Sequence, residues 1–455
     1  MRIRALGALF ASSCLLACAG DDRGEKADGG LSTGAEDETG DAGDDGDSGS
    51  EKFDIGEGNE GGNPGDCKGD GEGEVEFTYA WIANSGEGTV SKIDTRTATE
   101  VARYVTDPNI NPQPSRTAVN LYGDAVVLSR GKPWALYVPE GPGAVTKIAA
   151  RVEDCIDANQ NGQIETSQGP EDVLEFGSDE CVLWHRVIDS DGYENGPRPV
   201  GWEGTKSGDG CVLPNPRLWI GWFDNAGNVA HFDRLDGETG ETLDEVLVPW
   251  SGLQFGPYGG AVDGNGDFWA VGWQVGPLVR IDGKTLEVTT WNIPVPPGED
   301  QTWTYGMALD ENGHPWMASV GSAIHFNPDT EEFSFAKTTN RSMRGVMVDR
   351  EGRAWFAVDL GAENGYESCG LAVVDTATDQ VIQDFIKLPG CYEPVGVSID
   401  VDGYVWVPDY EAHKAYKVDP DTYQVVSEVE GLYEPYTYSD MTGAGLDLVT
   451  NPPQG

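Results

Sequence analysis

Four times in the second half of the chain one spacing recurs: Gly, four residues on Asp, three on Gly, three on Trp. It is carried by Gly259, Asp263, Gly266 and Trp269; by Gly306, Asp310, Gly313 and Trp316; by Gly345, Asp349, Gly352 and Trp355; and by Gly396, Asp400, Gly403 and Trp406. Recurrence at intervals of about 40–50 residues marks an array of like units, none of which can bury its apolar faces without neighbours. Each unit reads as strands. A short apolar run such as Val346-Met347-Val348 follows the first Gly. The Asp-x-x-Gly step then predicts a tight turn, because an Asp side chain bonds backbone two residues on and Gly adopts positive φ without strain. The chain reverses into a Trp-led apolar segment, Trp355-Phe356-Ala357-Val358 or Trp406-Val407-Pro408. A third strand follows (Leu278 to Asp282, Leu371 to Asp375, Ala415 to Asp419), and a fourth closes the unit (Leu286 to Trp291, Gln424 to Val429). Four antiparallel strands of this length make one propeller blade.

Weaker copies extend the array towards the N-terminus. One anchor per unit, at Trp81, Val126, Trp219, Trp269, Trp316, Trp355 and Trp406, predicts an all-β, seven-bladed β-propeller over residues 77–450. The first unit lacks an opening strand, and the C-terminal run Tyr438-Ser439-Asp440-Met441-Thr442-Gly443 is left over. Its pairing with the first blade would close the ring and leave no free edge. An open sandwich with irregular repeats is the alternative.

The start of the chain reads as an address. Arg2 and Arg4 precede an apolar core from Ala5 to Leu16, and Leu15-Leu16-Ala17-Cys18 has the form of a lipobox, so residues 1–18 are expected to be a lipoprotein signal with Cys18 as the lipidated residue. A plain secretory signal is the alternative. Residues 19–76 are Gly, Asp, Glu, Ser and Thr with little to bury, and are expected to form a disordered, self-repelling acidic tether. The resulting expectation is an exported, monomeric protein anchored to the bacterial membrane, at the outer membrane or cell surface. A formal net charge of −49 argues against nucleic-acid binding, which needs clustered Lys and Arg, and leaves the anchor as the only membrane contact.

With Cys14 and Cys18 set aside, Cys67, Cys155, Cys181, Cys211, Cys369 and Cys391 remain. An even number in an exported chain predicts disulfides. Cys369–Cys391 and Cys155–Cys181 are the local candidates, and Cys67–Cys211 follows by elimination. The Cys155–Cys181 pair would close part of an insertion over about 151–214, within which lies the sequence Asp157-Ala158-Asn159-Gln160-Asn161-Gly162-Gln163-Ile164-Glu165. Oxygen-bearing side chains at its positions one, three and five, Gly at six and a carbonyl from Gln163 match a calcium loop of the EF-hand type through Glu165. Position twelve is Gln168 where a bidentate Glu belongs, so Asp172, Asp179 or Glu180 is expected to supply the missing carboxylate. A structural Ca²⁺ stapling the insertion is the expected cofactor; a plain Asx-rich turn is the alternative.

The Gly-x-x-x-Asp-x-x-Gly-x-x-Trp signature and the terminal Tyr438-to-Gly443 segment resemble those of streptogramin (virginiamycin B) lyase-like and NHL-type propellers, over roughly residues 77–450. The resemblance implies a seven-bladed ring with any ligand site at one mouth of the central channel. The lyases use Glu and His near that mouth to hold Mg²⁺ and abstract a proton. Here the anchors lead Trp269-Ala270-Val271-Gly272, Trp316-Met317-Ala318-Ser319, Trp355-Phe356-Ala357-Val358-Asp359 and Trp406-Val407-Pro408-Asp409, without the Trp-Phe-Thr-Glu of those enzymes. His185, His231 and His325 fall in outer strand patterns and His314 and His413 at turns, so all five histidines are expected to pack or to face solvent.

Residues just before each innermost strand are expected to point at the axis: Arg116, Arg198, Tyr258, Tyr305, Arg344, Glu393 and Asp440. Arg and Tyr converging there suit a carboxylated or sugar-like ligand; alternatively the Arg residues neutralise Glu393 and Asp440 in a wet channel. The expectation is a non-catalytic platform that binds a protein, glycan or envelope component. A propeller lyase or lactone hydrolase with a metal in the channel is the alternative.

Overall fold

The computed structural model describes residues 78–132, 141–204, 216–338, 342–359 and 369–453. The expected export signal with Cys18, the expected acidic tether and the expected Cys67–Cys211 pairing fall outside the described residues. Within them, seven antiparallel sheets follow one another along the chain, over 79–105, 114–187, 200–249, 257–292, 307–337, 342–387 and 398–430. Six have four strands hydrogen-bonded in chain order and the first has three. Each innermost strand packs against that of the next sheet, giving a seven-bladed β-propeller.

Blade position explains the strand patterns. The second strand of a blade lies between two neighbouring blades, so both its faces are covered and it reads as a continuous apolar run. Phe268–Gly272 and Val405–Asp409 are buried throughout. The outermost strands, such as Val425–Glu430, alternate between half-buried and exposed residues because one face meets water. All seven anchors are buried, with Val126 in the place of a tryptophan. Aromatic stacking carries the contact from blade to blade: Trp219 lies parallel to Phe268, ring centroids 5.6 Å apart.

The recurrent motif is a clamp. One carboxylate oxygen of Asp400 accepts from the N–H groups of Asp402 and Tyr404 (3.0 and 2.9 Å), which closes the hairpin turn, while the other accepts from the Trp406 indole at 2.9 Å. Asp263, Asp310 and Asp349 hold Trp269, Trp316 and Trp355 in the same way, at 2.9, 3.2 and 2.7 Å. The turn glycines, Gly266, Gly313, Gly352 and Gly403, all have positive φ. On the third strand, the residue in register with the anchor is a cation in five blades: Lys92, Lys147, Arg234, Arg280 and Lys417. Most of these meet a turn carboxylate; Lys147 lies 3.3 Å from Asp124 and Lys417 3.2 Å from Asp400.

The Gly that opens each motif has a different cause. A Cβ on Gly306 would sit 2.6 Å from the Arg344 carbonyl, and one on Gly345 2.5 Å from the Gly396 Cα. Neither has left-handed backbone. These glycines are where innermost strands crowd together around the axis. The seam is closed by residues 434–441, which take the innermost place of the first blade: Trp81 donates to the Met441 carbonyl (2.8 Å) and Tyr436 to that of Ala83 (2.9 Å). Ser439 Oγ donates to the Thr117 carbonyl at 2.6 Å, tying the closing segment to the second blade.

One element was not expected from the sequence. After the closing segment the chain forms a helix, Ala444–Thr450, which buries Leu446, Leu448 and Val449. Seven residues do not hold a helix in water; the far mouth of the channel supplies the surface it needs. The two local disulfides, Cys155–Cys181 and Cys369–Cys391, are formed. The first closes the insertion between the third and fourth strands of the second blade, the second ties the sixth blade to the link before the seventh.

Candidate ligand basin at the channel mouth

Tyr258, Tyr305 and Arg344 each immediately precede a crowded glycine, so their side chains are delivered to the axis at the near mouth, opposite the helix. There they meet residues that sequence reasoning missed: Arg130, Tyr193, Phe255, Tyr436 and Tyr438. The Tyr258 and Tyr438 rings stack with centroids 5.4 Å apart, and Tyr305 lies 4.8 Å from Tyr438. Tyr258 Oη donates to Tyr305 Oη at 3.5 Å, and Tyr305 Oη in turn meets Tyr436 Oη. Alternation along the closing segment was the available signal, since Tyr436, Tyr438 and Asp440 share one face of an extended chain.

Three guanidiniums form the floor. Arg116, Arg130 and Arg198 are 1, 4 and 1 % exposed. Arg116 donates to the carbonyls of Ser115 (2.9 Å) and Tyr258 (3.4 Å) and lies under the Tyr258 and Tyr438 rings. Arg198 donates to the carbonyls of Glu194, Gly196 and Tyr193, each at 2.9 Å, while its Nε finds no acceptor among the described residues. Arg130 reaches the Gln113 carbonyl at 3.2 Å and Ser85 Oγ at 3.3 Å, with its plane over Tyr193 and Tyr436. Among the described residues none of the three forms an ion pair. Arg344 differs: it lies 2.5 Å from Glu393 and 3.5 Å from Asp359.

Burial and charge set the protonation of this basin. Burial lowers the Arg116 guanidinium to about 9 and also lowers that of Arg198. Burial alone would raise the Tyr258 phenol, but the cations of Arg116 and Arg198 outweigh it and bring the group below its ordinary value. Burial holds Tyr305 well above its ordinary value. Burial also raises Glu393, an effect its contact with Arg344 only partly offsets. The basin is thus cationic, aromatic and rich in hydroxyls, a combination suited to gripping an anion by hydrogen bonds and ring faces.

Asp440 belongs elsewhere. Its carboxylate accepts from the N–H groups of Thr442, Gly443, Gly445 and Leu446 at 2.8–3.2 Å, capping the C-terminal helix. It lines a cavity of about 40 Å³ inside the channel, between Ala118, Trp202, Met307, Met347 and Leu446. That space holds a few waters and is far smaller than a ligand pocket.

In the insertion, Asp157, Asn159, Asn161 and Glu165 converge. The two oxygens of Asp157 accept from the N–H groups of Asn161 (3.1 Å) and Gly162 (2.8 Å), the latter at positive φ. Asn159 and Asn161 donate their side-chain amides to Glu165 at 2.9 and 2.7 Å, which lowers its carboxyl below the ordinary value. Gln163 contributes its N–H to Asn161 Oδ1 at 2.8 Å. Glu180 accepts from the N–H groups of Ala158 (2.9 Å), Asn159 (3.3 Å) and Glu165 (2.9 Å), and Asp179 from Ser167, Thr166 and Cys181. Asp172 offers its backbone carbonyl to Gln168 at 3.1 Å. Asp179 and Glu180 therefore shape the loop through its backbone.

No protein-family model matches the chain, and no curated protein does. Among solved structures it is similar to apo AztD from Citrobacter koseri, at 12% identity and a TM-score of 0.46 over 79% of this chain and 96% of that one. It is similar to virginiamycin B lyase from Staphylococcus aureus, at 14% identity and a TM-score of 0.46 over 71% and 87%. A streptogramin B lyase is 19% identical with a TM-score of 0.38 over 52% and 69%.

Proposed function

We propose that this protein is an exported, lipid-anchored, non-catalytic binding platform whose near-mouth basin holds an anionic ligand borne by a protein, glycan or envelope component. The observation that carries the reading is one of charge. In a chain of formal net charge −49, three buried guanidiniums stand together without a carboxylate partner among the described residues. A buried charge left unpaired costs several kcal/mol, on the order of 3–5. An anion arriving from outside would supply the missing counter-charge, and the tyrosine hydroxyls and rings would orient it. Two carboxylates beside the mouth, Glu393 and Asp359, are both engaged by Arg344. A metal-dependent lyase or lactone hydrolase would need such groups free to converge on an ion. Attachment through Cys18 and a spacer over 19–76 would hold the basin clear of the membrane; membrane fractionation of a Cys18→Ser chain tests it.

Calorimetric titration of the ring with citrate, inorganic phosphate, N-acetylneuraminate and uncharged glucose tests the basin. Saturable binding of at least one anion and none of glucose is expected. Arg130→Gln is expected to weaken it at least tenfold. If no anion binds, or the variant binds as well as the parent, the reading fails.

The insertion is proposed to take one structural Ca²⁺ through Asp157, Asn159, Asn161, Glu165 and the Gln163 carbonyl. Neutral Asn ligands lower the charge of such a site, so weak affinity of the extracellular kind is expected. Prolonged EGTA dialysis should lower the melting temperature by several degrees, with recovery on adding Ca²⁺ that Asp157→Ala abolishes. An unchanged melting curve would leave the loop as an Asx-rich turn.

A further inference from the structure

The fifth blade departs from the others at its hairpin. Where five blades set Lys or Arg opposite the anchor, this one sets His325, in register with Trp316 and stacked on it at 4.5 Å. The residue after the turn glycine is a second histidine, His314. Its Nδ1 lies 3.3 Å from His325 Nε2. With Asp310, each of the two histidines offers one donor atom, and the three atoms fall within 4.8 Å of one another.

The surroundings fix which nitrogen is free. His325 Nδ1 meets Asp379 Oδ1 at 2.9 Å, from the sixth blade, and Ser334 Oγ at 3.3 Å. With its proton held at Nδ1 by Asp379, the ring directs the Nε2 lone pair at His314. A histidine whose outer nitrogen donates to a carboxylate is the usual arrangement of a metal ligand. Two nitrogens bound tetrahedrally at about 2.0–2.1 Å from one zinc ion stand about 3.3 Å apart, so the spacing needs no rearrangement. Asp310 spends one oxygen on the N–H groups of Asn312 and His314 (2.9 and 3.0 Å) and the other on the Trp316 indole (3.2 Å). Only the oxygen bound to the indole, Oδ2, retains a second lone pair for an ion.

We propose that His314 Nδ1, His325 Nε2 and the Asp310 carboxylate form a site for a divalent transition ion of the zinc class, with Asp379 positioning His325. Two imidazoles and one carboxylate favour Zn²⁺ over Ca²⁺ or Mg²⁺, which prefer oxygen throughout. His314 is half-buried, so an ion can reach the site from solvent and keep a water as its fourth ligand. In five other blades a Lys or Arg meets a turn carboxylate; here two histidines stand in that place and leave it to a metal.

Calorimetry of the full chain with Zn²⁺, after chelator dialysis, tests this, paired with the visible spectrum on adding Co²⁺. One zinc equivalent is expected, with the visible bands of a tetrahedral nitrogen–oxygen site under Co²⁺. His314→Ala should weaken zinc binding at least a hundredfold. Asp379→Asn should weaken it about tenfold, as loss of an outer carboxylate does. Asp157→Ala should leave it unchanged. Because a variant can misfold, the imidazole ¹⁵N signals of the parent chain give an independent reading: two of five histidines should shift with one equivalent of Zn²⁺. No zinc uptake, uptake unaltered in a folded His314→Ala chain, or no imidazole shift would each overturn the proposal.

Discussion

Gly396→Ala is expected to destabilise the ring by about 3 kcal/mol or more, the upper end of what overpacking costs. A Cβ at this position would overlap the Thr437 carbonyl oxygen and approach Tyr438 Cα to 2.9 Å. Both are backbone atoms of the closing segment, so no flexible side chain can swing aside. The backbone of Gly396 is not left-handed, which leaves sterics as the whole cost. Gly403 is the control. It has φ of 85° and nothing within 4 Å of its would-be Cβ, so Gly403→Ala meets only backbone strain, about 1–2 kcal/mol. Urea unfolding of the two variants measures the difference. Equal losses would mean that crowding of innermost strands does not explain the opening glycine of the repeat.

Asp400→Ala should cost about 3–5 kcal/mol, as removal of one partner from a buried pair does. Three donors lose their acceptor at once, the N–H groups of Asp402 and Tyr404 and the Trp406 indole, and the Lys417 ammonium, whose side chain is 8 % exposed, loses its counter-charge. The first blade shows what an anchor does without the clamp, since the Trp81 indole N–H is buried and has no acceptor among the described residues. Trp406→Phe and Trp81→Phe both lose packing area. Only the first also removes a made hydrogen bond, leaving that Asp400 oxygen to Lys417 alone, so it should be the more costly by about 1 kcal/mol. Matching losses in denaturant midpoint would show that the indole bond contributes nothing.

How much could be read in advance follows from which interactions are local. Asp-x-x-Gly acts within five residues: the Asp oxygen that closes the turn and the glycine at positive φ are both visible in the spacing, so hairpins and blade count were legible. The Cys369–Cys391 and Cys155–Cys181 pairs were legible because each spans neighbouring elements of the chain. Arg130 and Tyr193 were not, since neither carries the motif and both reach the basin only through the curvature of the ring. Its place just before an innermost strand predicts Asp440 at the mouth. Its carboxylate in fact caps a helix that exists only where the ring offers its far opening.

Periodicity alone determined the strands, their order, the number of blades and the need for a closing segment, because burial on both faces and tight turns are properties of short stretches of chain. Only the tertiary structure decided which charges share a space. Arg116, Arg130 and Arg198 come from different strands and connections yet converge without a carboxylate, and His314 and His325 meet across a hairpin beneath an aspartate from the next blade. Such pairings depend on the radius and closure of the ring, which all seven blades set together and no single repeat encodes.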